Sequence, residues 1–445
     1  MLKVKETVKN IKSLYLEDER PWIIGLSGGK DSTCVTQLVY NMIKQLKPQE
    51  KKKKVHILSS DTLVESPFIH KRIINTINKI NVNSKKDNIP IKAKILTPEL
   101  TDTFWVNIIG RGYPSPNKWF RWCTDRLKIK PMSKYIFEQV KINGEVIILL
   151  GARKSESASR AQTMSKFEIK DFNLRKHNDI DGAFIYTPIE DWDLKEVWAY
   201  LLQVKSPWGD NNRELIDLYK RTDEECPLVI DKSTPACGSS RFGCWTCTVV
   251  NRDRALEGLI EDGEVWAKPL LEFRNWLKEI RDDPLMREKI RKSQKKKKII
   301  ADFWGEEFNA YEHRGHQTLG PFTLNARYEM FRRLMELNKK LSKQHIELIS
   351  SEEIKAIQTI WAYEGGNIES IQDIIDKRGI EHNTELKEKF EKICEDSNIS
   401  PDLIQKLLIV ENDYSNLSRR KGLYNRLERV VEEYIFSNIE FKNEE

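Results

Sequence analysis

The chain has 445 residues, a length that predicts two or three packed units rather than a single core. Hydrophobic residues make up 39% and charged residues 32%, and no apolar run is long enough to cross a bilayer, so the composition excludes membrane-spanning and disordered classes. Lysine and arginine number 75 against 68 acidic residues, which permits a phosphate-rich partner. We expect a cytoplasmic protein, because the first residues are charged and lack the apolar stretch of a secretory signal.

Short apolar runs alternate with longer amphipathic stretches between residue 20 and about residue 200. This alternation is typical of parallel strands joined by helices. It predicts an α/β fold with an open, doubly wound, mainly parallel sheet. The strand candidates are residues 22–26, 55–58, 91–96 and 146–150.

A glycine-rich turn, Ser27-Gly28-Gly29-Lys30-Asp31-Ser32, follows the first strand candidate. At a strand-to-helix turn, glycines let the backbone approach a phosphate, and the helix N-terminus supplies positive potential. The spacing differs from the Walker pattern G-x-x-x-x-G-K-S/T, so a kinase-type loop fits poorly. The turn resembles the PP-loop of ATP pyrophosphatases. That resemblance implies ATP with Mg²⁺ as ligand, nucleotide contacts along the whole turn, and catalytic roles for Lys30 and Asp31.

Two further segments lie where the second and fourth strand candidates end. Asp61 follows the second, and Gly151-Ala152-Arg153 follows the fourth, with Arg160 close behind. Ligands of open α/β sheets bind at the carboxyl ends of the strands, and guanidinium groups grip phosphate oxygens in pairs. Both segments resemble the PAPS reductase branch of the PP-loop enzymes. We expect Asp61 and Gly151 at the nucleotide, and Arg153 and Arg160 as catalytic contacts. The alternatives are a helix cap and structural ion pairs.

Cys123 lies among the basic side chains Arg121, Arg126 and Lys128. Neighbouring cations lower the pKa of a thiol and make it a better nucleophile, so the sequence predicts a reactive cysteine here. The segment resembles a cysteine-containing element of PAPS reductase relatives. The alternative is a half-buried structural cysteine beside a basic, anion-binding strip.

Four of the seven cysteines are crowded together, with the spacing C-x10-C-x6-C-x2-C. An odd total argues against a disulfide framework, and the crowding predicts a metal site. Four thiolates suit either tetrahedral zinc or an iron-sulfur cluster, and the spacing does not choose between them. The predicted ligands are Cys226, Cys237, Cys244 and Cys247.

The rest of the chain has apolar residues at helical spacing, and Ser350 with Glu353 reads as a capping box. We therefore predict three regions. They are an α/β domain over residues 1–205, a four-cysteine segment over 206–265 and a mainly helical domain over 266–445. Cys34 and Cys394 are expected to be packing residues, because Cys34 has an apolar helical position and Cys394 lies in a charged tail helix.

The glycine-rich turn, the four-cysteine spacing and the stretch Gly320-Pro321-Phe322-Thr323-Leu324-Asn325-Ala326-Arg327 together resemble the DndC family of DNA phosphorothioation sulfurtransferases. The resemblance implies a 4Fe-4S cluster on the four cysteines and a sulfur-carrying Cys123. It implies adenylation of a DNA backbone phosphate, followed by replacement of a non-bridging oxygen with sulfur. A cysteine desulfurase as sulfur donor and other phosphorothioation proteins are the implied partners.

Three other interpretations stay open at the level of sequence. A PAPS or APS reductase would reduce a sulfonucleotide without splitting ATP, and a tRNA thiolase would use the same turn on a base. A non-catalytic, nucleotide-sensing DNA-binding subunit belongs to a different class. Turnover of ATP to pyrophosphate separates that subunit from the enzymes.

Overall fold

The computed structural model describes residues 2–156, 168–169, 174–215, 243–289, 312–313, 316–317 and 319–363, with single positions between 392 and 434. Three predicted site residues lie outside these ranges, namely Arg160, Cys226 and Cys237. In the part of the chain that is described, no helix has the length and apolar character needed to span a membrane.

A seven-stranded sheet forms the first half of the molecule. Its strands are β1 (Trp22–Gly25), β2 (Val55–Ser60), β3 (Ile91–Leu96), β4 (Val146–Leu149), β5 (Glu168–Ile169), β6 (Leu174–Lys176) and β7 (Ala183–Tyr186). The order is β3-β2-β1-β4-β7-β6-β5. The first five strands in this order pair in parallel, and β6 pairs antiparallel with both of its neighbours, β7 and β5. This confirms the predicted fold class and the four predicted strands. The strands β5, β6 and β7 were not predicted.

Helices cover both faces of the sheet, as a doubly wound fold requires. Neighbouring side chains of β4 point to opposite faces, so Ile147 packs in one apolar cluster and Ile148 in another. The helices of the described residues are Leu2–Glu17, Lys30–Lys44, Pro67–Lys86, Trp122–Thr124, Lys130–Asn143, Leu194–Gln203, Arg254–Glu261, Ala267–Glu279, Leu324–Ser342 and Ser351–Tyr363. Short 3-10 turns occur at Pro48–Glu50, Leu100–Asp102 and Lys154–Glu156, and π turns at Val106–Gly110 and Asp125–Ile129.

The order of the strands reverses between β1 and β4. The chain runs outward from β1 to β2 and β3, and then returns to place β4 on the other side of β1. At such a point the connections leave in opposite directions and open a crevice at the carboxyl ends of the strands. The glycine-rich turn after β1 and the Gly151 segment after β4 both begin at this crevice.

A second apolar core lies among the C-terminal helices. It also contains the segment from Phe104 to Ile109, although this segment falls within the first predicted domain. Trp105 Nε1 donates to the carbonyl of Leu348 at 2.6 Å, and Trp361 Nε1 donates to the carbonyl of Ile109 at 2.9 Å. Two buried indoles thus connect the α/β unit to the helices. The three domain boundaries stay a prediction.

Two kinds of local prediction are confirmed. Ser350 and Glu353 form a reciprocal capping box, with Glu353 N donating to Ser350 Oγ at 3.2 Å and Ser350 N donating to Glu353 Oε2 at 3.0 Å. Cys34 and Cys394 are 0% and 1% exposed, as expected for packing residues. A two-stranded pair, β8 (Glu312–His313) with β9 (His316–Gln317), precedes the helix Leu324–Ser342.

Candidate functional site

The glycine-rich turn is closed by its two serines. Ser32 Oγ accepts the backbone N–H of Ser27 at 3.1 Å and donates to the carbonyl of Gly29 at 3.1 Å. Gly28 has φ +77°, in the left-handed region that favours glycine. Gly29 is the N-cap of the helix Lys30–Lys44 and has no side chain to cap the first backbone N–H groups. The turn therefore presents a helix N-terminus to the crevice, an arrangement that binds anions.

Three predicted catalytic residues form one chain of ion pairs. Lys30 Nζ lies 2.8 Å from Asp31 Oδ2, and Arg153 Nε lies 2.7 Å from Asp31 Oδ1. Arg153 Nη1 also donates to Ser155 Oγ at 2.9 Å. Lys30 and Arg153 are only 1% and 2% exposed. The carboxylate thus holds two cations, one from the turn after β1 and one from the segment after β4, in fixed positions at the crevice.

Gly151 brings the end of β4 against the glycine-rich turn. A Cβ atom at this position would lie 2.5 Å from the carbonyl carbon of Asp31 and 2.6 Å from Ser32 N, closer than real Cβ atoms approach. Glycine is therefore required here for close backbone packing. The structure gives this predicted nucleotide-binding residue a definite role, which is to let Arg153 reach Asp31.

Asp61 lies at the carboxyl end of β2 and is engaged with its own neighbours. Its Oδ1 accepts the backbone N–H of Leu63 at 2.9 Å, and its Oδ2 lies 3.0 Å from His70 Nδ1. The hydrogen bond to Asp61 raises the pKa of His70 above its usual value, against the opposing effect of burial. Sequence reasoning missed His70, because no motif or spacing connects it to Asp61.

The described cysteines of the predicted metal site share a pocket with Cys123. Its lining includes Cys123, Cys244, Cys247, Arg121, Thr246 and Lys128. Cys123, Cys244 and Cys247 are half-buried, and no disulfide joins them. The predicted sulfur carrier and the predicted cluster ligands are far apart in the sequence, yet the fold brings them together.

The segment after β2 holds the cysteine turn in place. Glu65 pairs with Cys244 as an isolated antiparallel bridge, and Trp245 N donates to the carbonyl of Val64 at 3.0 Å. Thr62 Oγ1 donates to Glu65 Oε1 at 3.0 Å and lies 3.2 Å from Cys244 Sγ. A hydroxyl has one proton, so Cys244 is the donor in that last contact. Burial and the Glu65 carboxylate raise the pKa of the Cys244 thiol, so a metal would have to displace its proton.

A buried arginine organises the loop that follows Cys247. Arg274 is 0% exposed and lies on the helix Ala267–Glu279. Its guanidinium donates to the carbonyls of Cys247 at 2.8 Å, Asn251 at 3.1 Å and Val250. Burial lowers the pKa of Arg274, against the attraction of Asp253. Nothing in the local sequence indicated this role, because the arginine lies one helix away from the cysteines.

The cations that flank Cys123 in the sequence divide into two groups. Arg126 Nη1 lies 2.5 Å from Asp102 Oδ1, and Lys128 Nζ lies 3.7 Å from Glu65 Oε1. Much of the basic strip therefore faces carboxylates. Arg121 differs, because its Nη1 is buried and has no hydrogen-bond partner among the described residues, and the side chain lines the cysteine pocket.

The described cysteines give a partial test of the predicted iron-sulfur cluster. Cys247 N donates to the carbonyl of Cys244 at 3.0 Å, so the two cysteines form a tight turn with both thiols at one pocket. That turn fits two of the four thiolate ligands of an iron-sulfur cluster. The other two, Cys226 and Cys237, lie outside the described residues. Among the described side chains no set of three or more His, Cys, Asp or Glu forms a metal site, for Mg²⁺ or any other ion.

Comparison with known proteins finds one curated relative and a number of solved structures, among them a reductase and a thiolase. An uncharacterized protein of Methanocaldococcus jannaschii is 26% identical over 258 residues, 58% of this chain and 42% of that protein, so the chain spans less than half of that relative. The PAPS reductase of Candida auris, in a phosphate complex, is 15% identical with a TM-score of 0.30, covering 50% of this chain and 93% of that one. The U34-tRNA thiolase NcsA of Methanococcus maripaludis, with its 4Fe-4S cluster, is 14% identical with a TM-score of 0.29, covering 62% and 80%.

The sequence profile of the phosphoadenosine phosphosulfate reductase domain matches residues 21–250, just over half of the chain. The matched range begins immediately before β1 and ends after the Cys244–Cys247 turn. It therefore contains the glycine-rich turn, the ion-pair chain and the cysteine pocket together. The chain belongs to the phosphoadenosine phosphosulfate reductase domain family.

Proposed function

We propose that this chain is an ATP-splitting sulfurtransferase whose acceptor is a DNA backbone phosphate. One observation carries the proposal. The residues after β2, from Asp61 to Glu65, start beside the nucleotide crevice and end against Cys244, in the pocket that Cys123 lines. A phosphate-activating turn and a thiol-rich pocket at one edge of a sheet are the two parts that such a transfer needs.

In the first step the glycine-rich turn holds the β and γ phosphates of ATP at the N-terminus of the helix Lys30–Lys44. An oxygen of the acceptor phosphate attacks the α phosphorus, and pyrophosphate leaves. Lys30 and Arg153, fixed by Asp31, stabilise the charge that develops. Mg²⁺, if bound together with the nucleotide, would shield the charge of its phosphates.

In the second step sulfur replaces AMP on the activated acceptor. The outer sulfur of a persulfide on Cys123 attacks the adenylated phosphorus, and AMP departs with the electrons of the broken P–O bond. A second thiol then cleaves the S–S bond, which leaves sulfur on the acceptor and a disulfide that external dithiol reduces. A cluster on the four cysteines would supply sulfur handling or electron transfer beside this thiol.

A polynucleotide acceptor is supported by the loop that leads to Cys123. Trp119 is 92% exposed and lies between the exposed residues Lys118 and Phe120. An Asx turn fixes the loop, because Asn117 Oδ1 accepts the backbone N–H groups of both aromatic residues at 2.8 Å. Exposed aromatic rings interleaved with cations are typical of surfaces that stack bases and bind the backbone.

The acceptor prediction is tested by Trp119→Ala. We expect the affinity for DNA to fall about tenfold, because stacking contributes about 1–3 kcal/mol per base. Phe137→Ala, which removes another exposed aromatic ring, is the matched control and should bind DNA normally. Fluorescence anisotropy with labelled DNA measures both. Equal affinities for Trp119→Ala and the native chain would exclude this loop from the acceptor site.

The proposed reaction itself is tested by pyrophosphate release. Full-length protein, purified without oxygen, is given ATP and a persulfide donor, with DNA in one series and tRNA in another. Release that requires DNA is the expected result. Release that requires tRNA identifies a thiolase, and absence of release with either acceptor contradicts ATP splitting.

A PAPS reductase is the second candidate, and membership in the family favours it. That reaction would release sulfite from a sulfonucleotide and would need no grip on a β phosphate. The complete turn from Ser27 to Ser32 argues for ATP instead. Sulfite formation from PAPS with a dithiol, without pyrophosphate release from ATP, would decide for the reductase.

A further inference from the structure

The pocket beside Cys123 contains two buried polar atoms that no described residue satisfies. Thr246 is 1% exposed, and its Oγ1 has no hydrogen-bond partner in the described part of the chain. The same holds for Arg121 Nη1. Both side chains line the pocket together with Cys123 and the Cys244–Cys247 turn. Burying a polar group without a partner is unfavourable, so the two atoms point to a ligand.

The chemistry of the lining restricts that ligand. Arg121 can only donate, and the Thr246 hydroxyl can donate as well, so the ligand is an acceptor and most favourably an anion. The rest of the wall is cysteine sulfur, apolar groups such as Phe104 and Val249, and the side chains of Thr124 and Lys128. The Lys128 ammonium already faces a carboxylate, since its Nζ lies 3.7 Å from Glu65 Oε1. The two buried donors that lack a partner among the described residues are fewer than a phosphate group needs, because its several oxygens all accept hydrogen bonds. They suit a single, large, weakly hydrated atom such as an anionic sulfur.

We propose that Arg121 and Thr246 bind the negatively charged outer sulfur of a persulfide on Cys123. This inference rests on the proposed function and names the residues that hold its sulfur. The persulfide forms when the Cys123 thiolate attacks the outer sulfur of a donor persulfide. One S–S bond forms, the donor's S–S bond breaks, and the donor leaves as a thiolate, so no net oxidation occurs.

The experiment measures how long the persulfide survives on Cys123. Full-length protein is loaded with glutathione persulfide, freed of the donor and alkylated at intervals, and the Cys123 peptide is quantified by mass spectrometry. Thr246→Val should lose the persulfide about tenfold faster than the native chain, because a hydrogen bond to a charged group is lost. Thr246→Ser, which keeps the hydroxyl, should retain the native lifetime.

Thr248→Val is the matched control two residues away. Thr248 is also 1% exposed, but its hydroxyl donates to the carbonyl of Pro116 at 2.7 Å. Its loss should lower the Tm and leave the persulfide lifetime unchanged. Thr246→Val should leave the Tm unchanged or raise it, because no internal hydrogen bond is removed. A lower Tm for Thr246→Val would show a structural hydroxyl and overturn the inference.

Two further results would also overturn it. Equal persulfide lifetimes in Thr246→Val and the native chain would show that the hydroxyl does not touch the sulfur. A shorter persulfide lifetime of Thr246→Val that occurs only in protein containing iron would assign the hydroxyl to the cluster. Pyrophosphate release is measured in the same preparations. Normal pyrophosphate release together with equal persulfide lifetimes in Thr246→Val and the native chain would reject this inference alone. Absence of pyrophosphate release in the native chain would reject the proposed function.

Discussion

Arg153 is the third residue of the ion-pair chain Lys30–Asp31–Arg153, and only an arginine can make both of its hydrogen bonds. Arg153 uses Nε for Asp31 and Nη1 for Ser155, two directions that a lysine cannot serve at once. We expect Arg153→Lys to weaken ATP binding about tenfold and to lower the free energy of unfolding by about 1–3 kcal/mol. Calorimetric titration with ATP and urea unfolding measure the two effects.

Arg327→Lys is the control for that change. Arg327 is a buried arginine of the helical core, and its Nη1 donates to the carbonyl of Gly110 at 2.5 Å. This variant should lose stability and keep its affinity for ATP. A normal ATP affinity in Arg153→Lys would contradict the assignment of the arginine to the nucleotide.

The pair His70–Asp61 predicts a dependence of stability on pH. Asp61 raises the pKa of His70 in the folded state. The contribution of the pair to the free energy of unfolding is therefore complete below the ordinary pKa of 6.5, and it is lost as the pH rises through the folded-state pKa. The difference in unfolding free energy between the native chain and His70→Gln should therefore be largest in acid. It should stay below about 1 kcal/mol, because His70 is 44% exposed in its side chain and solvent screens the pair.

His56 provides a control of the opposite sign. Its pKa is lowered, chiefly by burial and further by Lys54, so protonation below the ordinary pKa destabilises the fold. As the pH falls, the free energy of unfolding of His56→Gln should therefore approach that of the native chain or exceed it. Urea unfolding at several pH values measures both variants. If the difference in unfolding free energy between His70→Gln and the native chain did not change with pH, the ion pair between His70 and Asp61 would be excluded.

At the scale of elements, the cysteine turn is supported from outside by the helix Ala267–Glu279. Arg274 holds three carbonyls of the loop after Cys244, so Arg274→Met should release that loop and reduce the iron bound by the cluster that we propose on the cysteines. We expect the free energy of unfolding to fall by about 3 kcal/mol, because buried carbonyls lose a charged donor. Lys278→Met is the control, since its long contact to Asn251 is exposed. Equal iron content in both variants would contradict the support role.

The elements predicted correctly share one property, which is a signal contained in a short stretch of sequence. The four strands that were predicted are short apolar runs or, in β3, an alternation of apolar residues with lysine, and the capping box has its own spacing. The strand Ala183–Tyr186 was missed although it pairs with β4. A short apolar run does not by itself distinguish a strand from a buried segment of another kind. The segment Phe104–Gly110 joined the helical core through contacts that span more than two hundred residues, and local periodicity carries no such information.

At the scale of the whole molecule, the candidate site is a meeting of segments that are distant in the sequence. The glycine-rich turn, with Asp31 in it, and Arg153 could be predicted separately from the sequence, but the ion pair between Arg153 and Asp31 required the strand order. Cys123 was predicted from its basic neighbours, two of which face carboxylates instead. Its pocket with Cys244 arises from long-range packing. The chemical character of single site residues was therefore predictable from the sequence, whereas the contacts that bring them together were not.

The central claim is that the turn from Ser27 to Ser32 grips the phosphates of ATP. A crystal structure of the full chain with an ATP analogue whose α–β bridge is a methylene group tests it most directly. We predict the β and γ phosphates on the backbone N–H groups at the start of the helix Lys30–Lys44, with Arg153 and Lys30 beside them. A nucleotide bound elsewhere, with the turn vacant, would contradict the account.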